Sequence, residues 1–302
     1  MKLLAHSLTE SFSNLWRLAV HGVLRLAPVE LASAAGATLA QVVVRTSRRN
    51  VLSAAHANFR FHRPLATDEE ASRAVDAFID NIGRLMAEFS VMDRIAAQGR
   101  ITLLASGRAH ALMGREPVIC LMVHTGNWEM FGPALQQAGY RVSSLIDPPM
   151  SAAERRIAES IRLKMGFDLL TPDQSGLRRA IRTLGQNGTV SIFVDEARSG
   201  RTMAPFFGRP PHVRGNLAVA ARLARRTNAQ LLIGYCERHD GCRFRLHVSD
   251  PFQLPGPAAD LLEDVRFLNG LIEPIILDHL HQWYFLDDSL SLGDETAEQR
   301  PA

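Results

Sequence analysis

Cysteine is scarce in this chain: three among 302 residues, with no C-x-x-C spacing, exclude a disulfide framework and fit a reducing compartment. Lysine is scarcer. Only two of the 34 cationic side chains are lysines; arginine suits bidentate binding of phosphate, although codon bias alone would give the same result. Long apolar runs are missing too. The longest early uncharged stretch, Leu31 to Val44, is fourteen residues with glycine, serine, threonine and glutamine inside it, short of the roughly 20 needed to span a bilayer. Spanning would require Glu30 or Arg45 to sit at an interface. No secretory signal is expected, because Lys2 is followed by a segment broken by His6, Glu10 and Arg17. Gly-x-Ser-x-Gly, Gly-x-Gly-x-x-Gly and Walker sequences are absent, which disfavours a nucleophile-elbow hydrolase or a nucleotide enzyme.

What is present begins with an uneven charge distribution. Residues 1–66 carry eight Lys/Arg against two Asp/Glu, and the remainder 26 against 29. Within that basic front, Ser13, Arg17, His21 and Arg25 recur every four positions amid Leu15, Trp16, Leu18, Val20, Val23 and Leu24. This is one polar stripe on an otherwise apolar helix. Pro28 interrupts it and a second apolar helix follows over Val29–Val44. A basic stripe with a broad apolar face suits a helix lying in the headgroup region of an anionic membrane; packing on its own domain explains the pattern equally well. Residues 1–45 are therefore read as a membrane-associating helical segment, 46–290 as one domain and 291–302 as a flexible tail. No nucleic-acid partner is expected.

Thr67 followed by Asp68, Glu69 and Glu70 is a capping box, and Ala71, Val75, Phe78, Ile82, Leu85, Met86 and Phe89 continue at helical spacing. From Pro117 the pattern becomes short apolar runs alternating with amphipathic stretches, which predicts an α/β fold with a mainly parallel central sheet flanked by helices. Strands are expected near 118–123, 141–146, 167–170, 189–194 and 230–237, and helices near 128–138, 151–165, 176–186 and 215–226. Asp240-Gly241 marks a hairpin turn, so the sheet is expected to end in an antiparallel edge. Cys236, His239 and Cys242 offer three soft ligands, but no fourth is in sight, and no metal is expected.

The chemistry gathers where an apolar strand, Val118–Val123, ends in His124 and turns through Thr125-Gly126-Asn127 into Trp128-Glu129. Reacting groups in open α/β sheets collect at the carboxyl ends of strands. Glu129, in the first helical turn, is expected to fold back onto one imidazole nitrogen and leave the other as a general base. Spacing of this kind also arises by chance, and a helix-capping histidine is the plainer reading.

The hexapeptide His124–Glu129 resembles the His-x-Gly-Asn-Trp-Glu signature of the lipid A late acyltransferase family, within the wider glycerolipid and lysophospholipid acyltransferases marked by His-x-x-x-x-Asp/Glu. Arg49-Asn50-Val51, Asn58-Phe59 and Glu88-Phe89 upstream are similar to the same family. So are Asp195, Ala204-Pro205-Phe206-Phe207-Gly208, Gly215 and Ala221–Ala224 downstream. The resemblance implies an acyl tunnel and transfer of a fatty acyl group from a thioester on acyl carrier protein or coenzyme A to a lipid hydroxyl or amine. It implies no metal or redox cofactor. The scarce cysteines and the basic front are read as placing the chain at the cytoplasmic face of the bacterial inner membrane. Carried over, His124 is the base and Glu129 its partner. Arg162 would hold a phosphate, Asp195 and Glu196 would anchor Arg162 or the acceptor, and Phe206, Phe207 and Gly208 would line a channel. Each has a structural alternative: a solvated helix face, a helix cap, or simple core. A non-catalytic lipid-binding relative is the competing class, and a glycolipid, lysophospholipid or amino-lipid is the competing acceptor. Where the family usually ends in a Trp-x-x-His-Arg-Arg type segment, this chain reads Trp283-Tyr284-Phe285-Leu286-Asp287-Asp288. Two aspartates near the acceptor would disfavour a phosphorylated head group.

Overall fold

A computed structural model describes residues 19–146, 155–156, 159–160, 162–163, 168–198, 201–256 and 260–289. The expectations for Ser13, Arg17 and the tail lie outside the described residues, as does most of the helix expected at 151–165.

After a helical stretch at residues 19–26, the chain forms helices α1 (Val29–Ser47), α2 (Arg49–His62), α3 (Asp68–Glu88) and α4 (Met92–Ala97). Strand β1 (Ile101–Ala105) and helix α5 (Gly107–Leu112) follow. The α/β body then runs through β2 (Val118–Met122), α6 (Phe131–Gln137), β3 (Val142–Leu145), β4 (Asp168–Leu170), α7 (Gln174–Gly185) and β5 (Thr189–Phe193). A short hairpin, β6 (Glu196–Arg198) and β7 (Arg201–Ala204), leads to α8 (Asn216–Thr227), β8 (Gln230–Asp240), β9 (Arg243–Val248) and α9 (Leu261–Asp278).

Seven strands form one sheet in the order β1-β9-β8-β2-β5-β3-β4. All neighbouring pairs are parallel except β8 with β9. The hairpin at Gly241 forms as expected, but β9 is not the edge: β1, which the sequence pattern left unassigned, adds beyond it in parallel. β2 lies in the middle, buried on both sides. Ile119, Leu121 and Val123 enter one apolar cluster with α3, α7, α8 and α9, while Val118, Cys120 and Met122 enter the other with α1, α4 and α6. Burial on both faces is why this strand reads as a continuous apolar run.

The capping box at Thr67 forms, Thr67 Oγ1 accepting from Glu70 N–H and Glu70 accepting from Thr67 N–H. α3 packs closely on α1, where Gly36 and Gly83 face each other so tightly that a Cβ on either would collide with the other's backbone. This explains the small residues within the Leu31–Val44 run: they are a helix contact. Among the described residues no helix is long and apolar enough to cross a membrane.

Of the N-terminal polar stripe, His21 and Arg25 are described, and both reach residues of the domain. His21 Nδ1 meets Ser90 Oγ at 2.8 Å and Arg25 pairs with Asp93 at 3.9 Å, so these polar residues face the domain. Val23, Leu26, Leu31, Leu39 and Val42 stand outward, more than half exposed.

Candidate active site

His124 leaves the carboxyl end of β2, the most enclosed strand. The parallel register pairs Met122 with Phe193, and two residues further along the same register set His124 opposite Asp195. The two residues are joined three ways. Asp195 Oδ2 accepts the His124 backbone N–H at 2.7 Å, Oδ1 lies 2.9 Å from Nδ1, and the Asp195 carbonyl oxygen lies 3.1 Å from the same nitrogen. Both neighbours of Nδ1 are acceptors, so Nδ1 carries the proton and Nε2 presents its lone pair. The Trp283 indole N–H donates to Asp195 Oδ2 at 2.8 Å, so this fully buried carboxylate has a donor on each oxygen.

The imidazole sits among aromatic rings. Phe193 stacks on it at 4.2 Å, and Trp128 and Phe285 meet it edge-on at 4.8 and 5.2 Å. About a fifth of the side chain remains exposed. A base with one nitrogen locked to a buried carboxylate and the other accessible within an apolar wall is built to take a proton from a hydroxyl or amine.

The expected contact between Glu129 and the imidazole is not formed. Glu129 is buried and holds Arg162 instead, with Nε donating to Oε2 at 3.0 Å and Nη2 to Oε1 at 2.5 Å. The physical reason is the sheet order: Nδ1 is already taken by Asp195 from the adjacent strand, and Glu129 lies within a 3-10 turn (Trp128–Met130). Burial disfavours the Arg162 charge, but the Glu129 carboxylate outweighs it and holds the guanidinium above its ordinary range. Arg162 is thus anchored by Glu129 rather than by Asp195 or Glu196.

Glu196 accepts the backbone N–H of Asn216 at 2.8 Å at the start of α8, the capping role. Phe206 and Phe207 are buried in the core cluster, their backbone N–H groups donating to Asn269 and Glu273 of α9. Phe207 contacts Trp283 at 5.5 Å, so its link to the dyad runs through the tryptophan that holds Asp195. Gly208 is exposed with positive φ. Among the described residues no cluster of histidine, cysteine or carboxylate side chains could hold a metal ion.

Beneath the loop lies a buried polar cage that sequence reasoning missed. The Arg238 guanidinium pairs with Glu88 through Nη1 at 2.6 Å and Nη2 at 2.9 Å, and its Nε donates to Asn81 Oδ1 at 2.8 Å. Glu88 also accepts from Asn127 Nδ2 at 2.8 Å and Ser33 Oγ at 2.7 Å. Burial raises the Glu88 carboxyl, but Arg238 and these donors prevail and leave it below its ordinary value. Asn81 Nδ2 reaches the carbonyls of Gly126 and Gln282. The Gln282 side chain in turn clamps the Arg238 backbone N–H and C=O.

The cage therefore holds the histidine loop on one side and the Gln282-Trp283 segment that grips Asp195 on the other. Gly126 has φ +57°, and a Cβ there would lie 2.6 Å from the Cys236 carbonyl oxygen; only glycine fits. Asn58, noted in the sequence without a role, donates to the carbonyls of Leu286 and Asp287 and secures the turn carrying Tyr284 and Phe285. The signal available in sequence was a set of polar residues on apolar helix faces, such as Asn58 and Asn81, whose partners are as many as 229 positions away.

Compared with known families, the chain matches the model for bacterial lipid A biosynthesis acyltransferases over residues 6–290. No curated protein matches it significantly.

Proposed function

The chain belongs to the bacterial lipid A biosynthesis acyltransferase family, and on that premise we propose that His124 is its general base and Asp195 the group that orients it. The observation carrying this reading is the pair of contacts from His124 Nδ1 to Asp195, which leave Nε2 free at the carboxyl edge of the sheet. The acceptor hydroxyl gives its proton to Nε2 as its oxygen attacks the carbonyl carbon of the acyl thioester. Asp195 stabilises the imidazolium so formed. When the tetrahedral intermediate collapses, the carbon–sulfur bond breaks and the imidazolium returns the proton to the leaving thiolate. An amine acceptor would follow the same course.

Glu129 and Arg162 act as a second unit beside the base. Glu129 takes two of the guanidinium's nitrogens, Nε and Nη2, and Nη1 remains as a donor for an oxyanion of donor or acceptor. The donor is a thioester of acyl carrier protein or coenzyme A, and the acceptor a lipid A precursor or another lipid presented at the cytoplasmic face of the inner membrane. The outward apolar side chains of residues 23–42 support a membrane location.

Acyl transfer and thioester cleavage by His124→Ala, Asp195→Asn and Glu129→Gln test the assignment. Losing the base should cost about 100- to 10,000-fold in rate. Asp195→Asn should approach that loss, and Glu129→Gln should fall less and mainly in KM. Folded His124→Ala protein with undiminished turnover would remove the central claim. A greater loss in Glu129→Gln than in Asp195→Asn would restore Glu129 as the partner of the base.

A further inference from the structure

Gln282 is where the C-terminal segment meets the His124 loop. Its main-chain carbonyl accepts the Gly126 N–H at 3.0 Å, and two residues further on the Tyr284 N–H donates to the His124 carbonyl at 2.9 Å. Between these two bonds Thr125 and Trp283 stand opposite each other in an antiparallel bridge. The Trp283 indole in that bridge holds Asp195 Oδ2. Whatever fixes Gln282 therefore fixes the spacing between His124 and its carboxylate.

The Gln282 side chain is fixed by the backbone of Arg238. Oε1 accepts the Arg238 N–H at 2.7 Å, and Nε2 donates one hydrogen to the Arg238 carbonyl at 3.1 Å. These contacts exclude the flipped amide, which would set nitrogen against N–H and oxygen against C=O. The other Nε2 hydrogen goes to His281, whose Nε2 lies 3.3 Å away. A donor on Gln282 requires an acceptor on His281, so the imidazole is neutral with its proton on Nδ1. An imidazolium would set N–H against N–H in a half-buried contact and lose this hydrogen bond.

The surroundings favour the neutral ring and still admit protons to it. Burial and the neighbouring His279 lower the His281 pKa from its ordinary 6.5, with Glu237 opposing them. The contribution of the neutral imidazole is thus complete above pH 6.5 and is lost as pH falls through the lowered value. His281 also lines an open cleft of about 360 Å³ with Phe59, Arg63, Arg73, Leu277 and Asp278, which brings solvent to it. Arg63 pairs with Asp278 at 3.3 Å, while Arg73 forms no ion pair among the described residues and leaves the cleft cationic. We propose that His281 is a positioning residue for acyl transfer: its neutral imidazole completes the Gln282 clamp, and a proton on it releases the clamp and misaligns His124 and Asp195. This rests on the reading of His124 as the base.

The pH dependence of kcat/KM in the full chain tests it. The acid limb of the wild type should steepen to about two protons, one taken up by the base and one by His281. His281→Gln, whose Oε1 accepts from Gln282 and does not titrate, should stay within about twofold of the wild-type rate at pH 8 and show a limb of about one proton. His281→Lys offers only donors and should lower kcat at pH 8 about tenfold, with KM and the circular dichroism spectrum unchanged. In 15N-labelled protein, the Gln282 side-chain amide and Trp283 indole resonances should shift with the midpoint of the His281 titration, and should not do so in His281→Gln. A one-proton limb in the wild type, full activity in His281→Lys, a His281→Gln as slow as His281→Lys, or resonances that ignore the His281 titration would overturn the proposal. Folded His124→Ala protein with undiminished turnover would remove the base instead, and the coupling of the Gln282 and Trp283 resonances to His281 would stand.

Discussion

Asp287 lies in the C-terminal turn that His62 contacts through Ser289, and the two carry opposite pH liabilities. Burial, with Asp288 adding repulsion, pushes the Asp287 carboxyl up from 3.8 to about 6. Its protonated form is favoured in the folded state, so its contribution to stability is complete below pH 3.8 and is lost as pH rises through 6. Burial, aided by Arg209 and Arg63, lowers His62 from 6.5 to about 4. The neutral imidazole is favoured, and that contribution is present above pH 6.5 and lost as pH falls toward 4. His62 Nε2 donates to Ser289 Oγ at 3.1 Å, and that hydroxyl donates to the Leu286 carbonyl. Relative to wild type, Asp287→Asn should gain unfolding free energy as pH goes from 4 to 7, and His62→Gln as it goes from 7 to 4. Each effect should reach up to roughly 3 kcal/mol, less where water reaches the group. Urea unfolding of the three proteins at pH 4, 5.5 and 7 measures both slopes, and parallel curves would show that neither group titrates in this range.

At the scale of elements, α1 carries apolar side chains on both its inner and its outer side. On α1, Val29, Ala32, Ser33 and Ala37 are buried against the body, while Leu31, Leu39 and Val42 face outward. The charges at its two ends are engaged with the domain, Glu30 with Arg100 and Arg45 with Asp76. Arg48 and Arg49 follow on an exposed stretch. The same protein with Leu31→Glu/Leu39→Glu/Val42→Glu should lose flotation on anionic vesicles by about tenfold or more, because the apolar insertion is replaced by repulsion. Undiminished flotation would place the membrane contact elsewhere. The helix at Asp68 was legible because its cap and its periodicity are both local. β1, β6 and β7 were not, although β2 to β5 are also five residues or fewer: each becomes a strand by finding a partner, β1 beside β9 and β6 beside β7.

For the molecule as a whole, the Glu88–Arg238 pair is the junction between its parts. It joins α1 through Ser33, α3 through Asn81, the His124 loop through Asn127 and the C-terminal segment through Gln282. Removing one partner from so enclosed a pair leaves an uncompensated charge, and Arg238→Met should cost about 3 to 5 kcal/mol. The double variant Glu88→Gln/Arg238→Met should recover much of that stability, since no net charge stays buried. Its acyl-transfer rate should remain depressed, because Asn81, Asn127 and Gln282 lose the group that aligns them. Thermal unfolding and turnover, measured on the same preparations, separate the two effects; full recovery of both would reduce the cage to a packing element.

Sequence alone determined what depends on neighbours along the chain: the apolar β2 strand, the His124 turn with its glycine, the capped α3 helix, the alternation of an α/β body and the resemblance to a family. Tertiary structure decided everything that depends on which strands lie together. Asp195 is the histidine's carboxylate because β5 is parallel to and beside β2, a fact of strand order that no local pattern carries. Glu129, five residues from His124, was the nearer carboxylate in sequence, yet it serves Arg162. Arg238, Glu88 and Trp283 become parts of the site for the same reason: their hydrogen-bond partners exist only once separate stretches of chain are folded against one another.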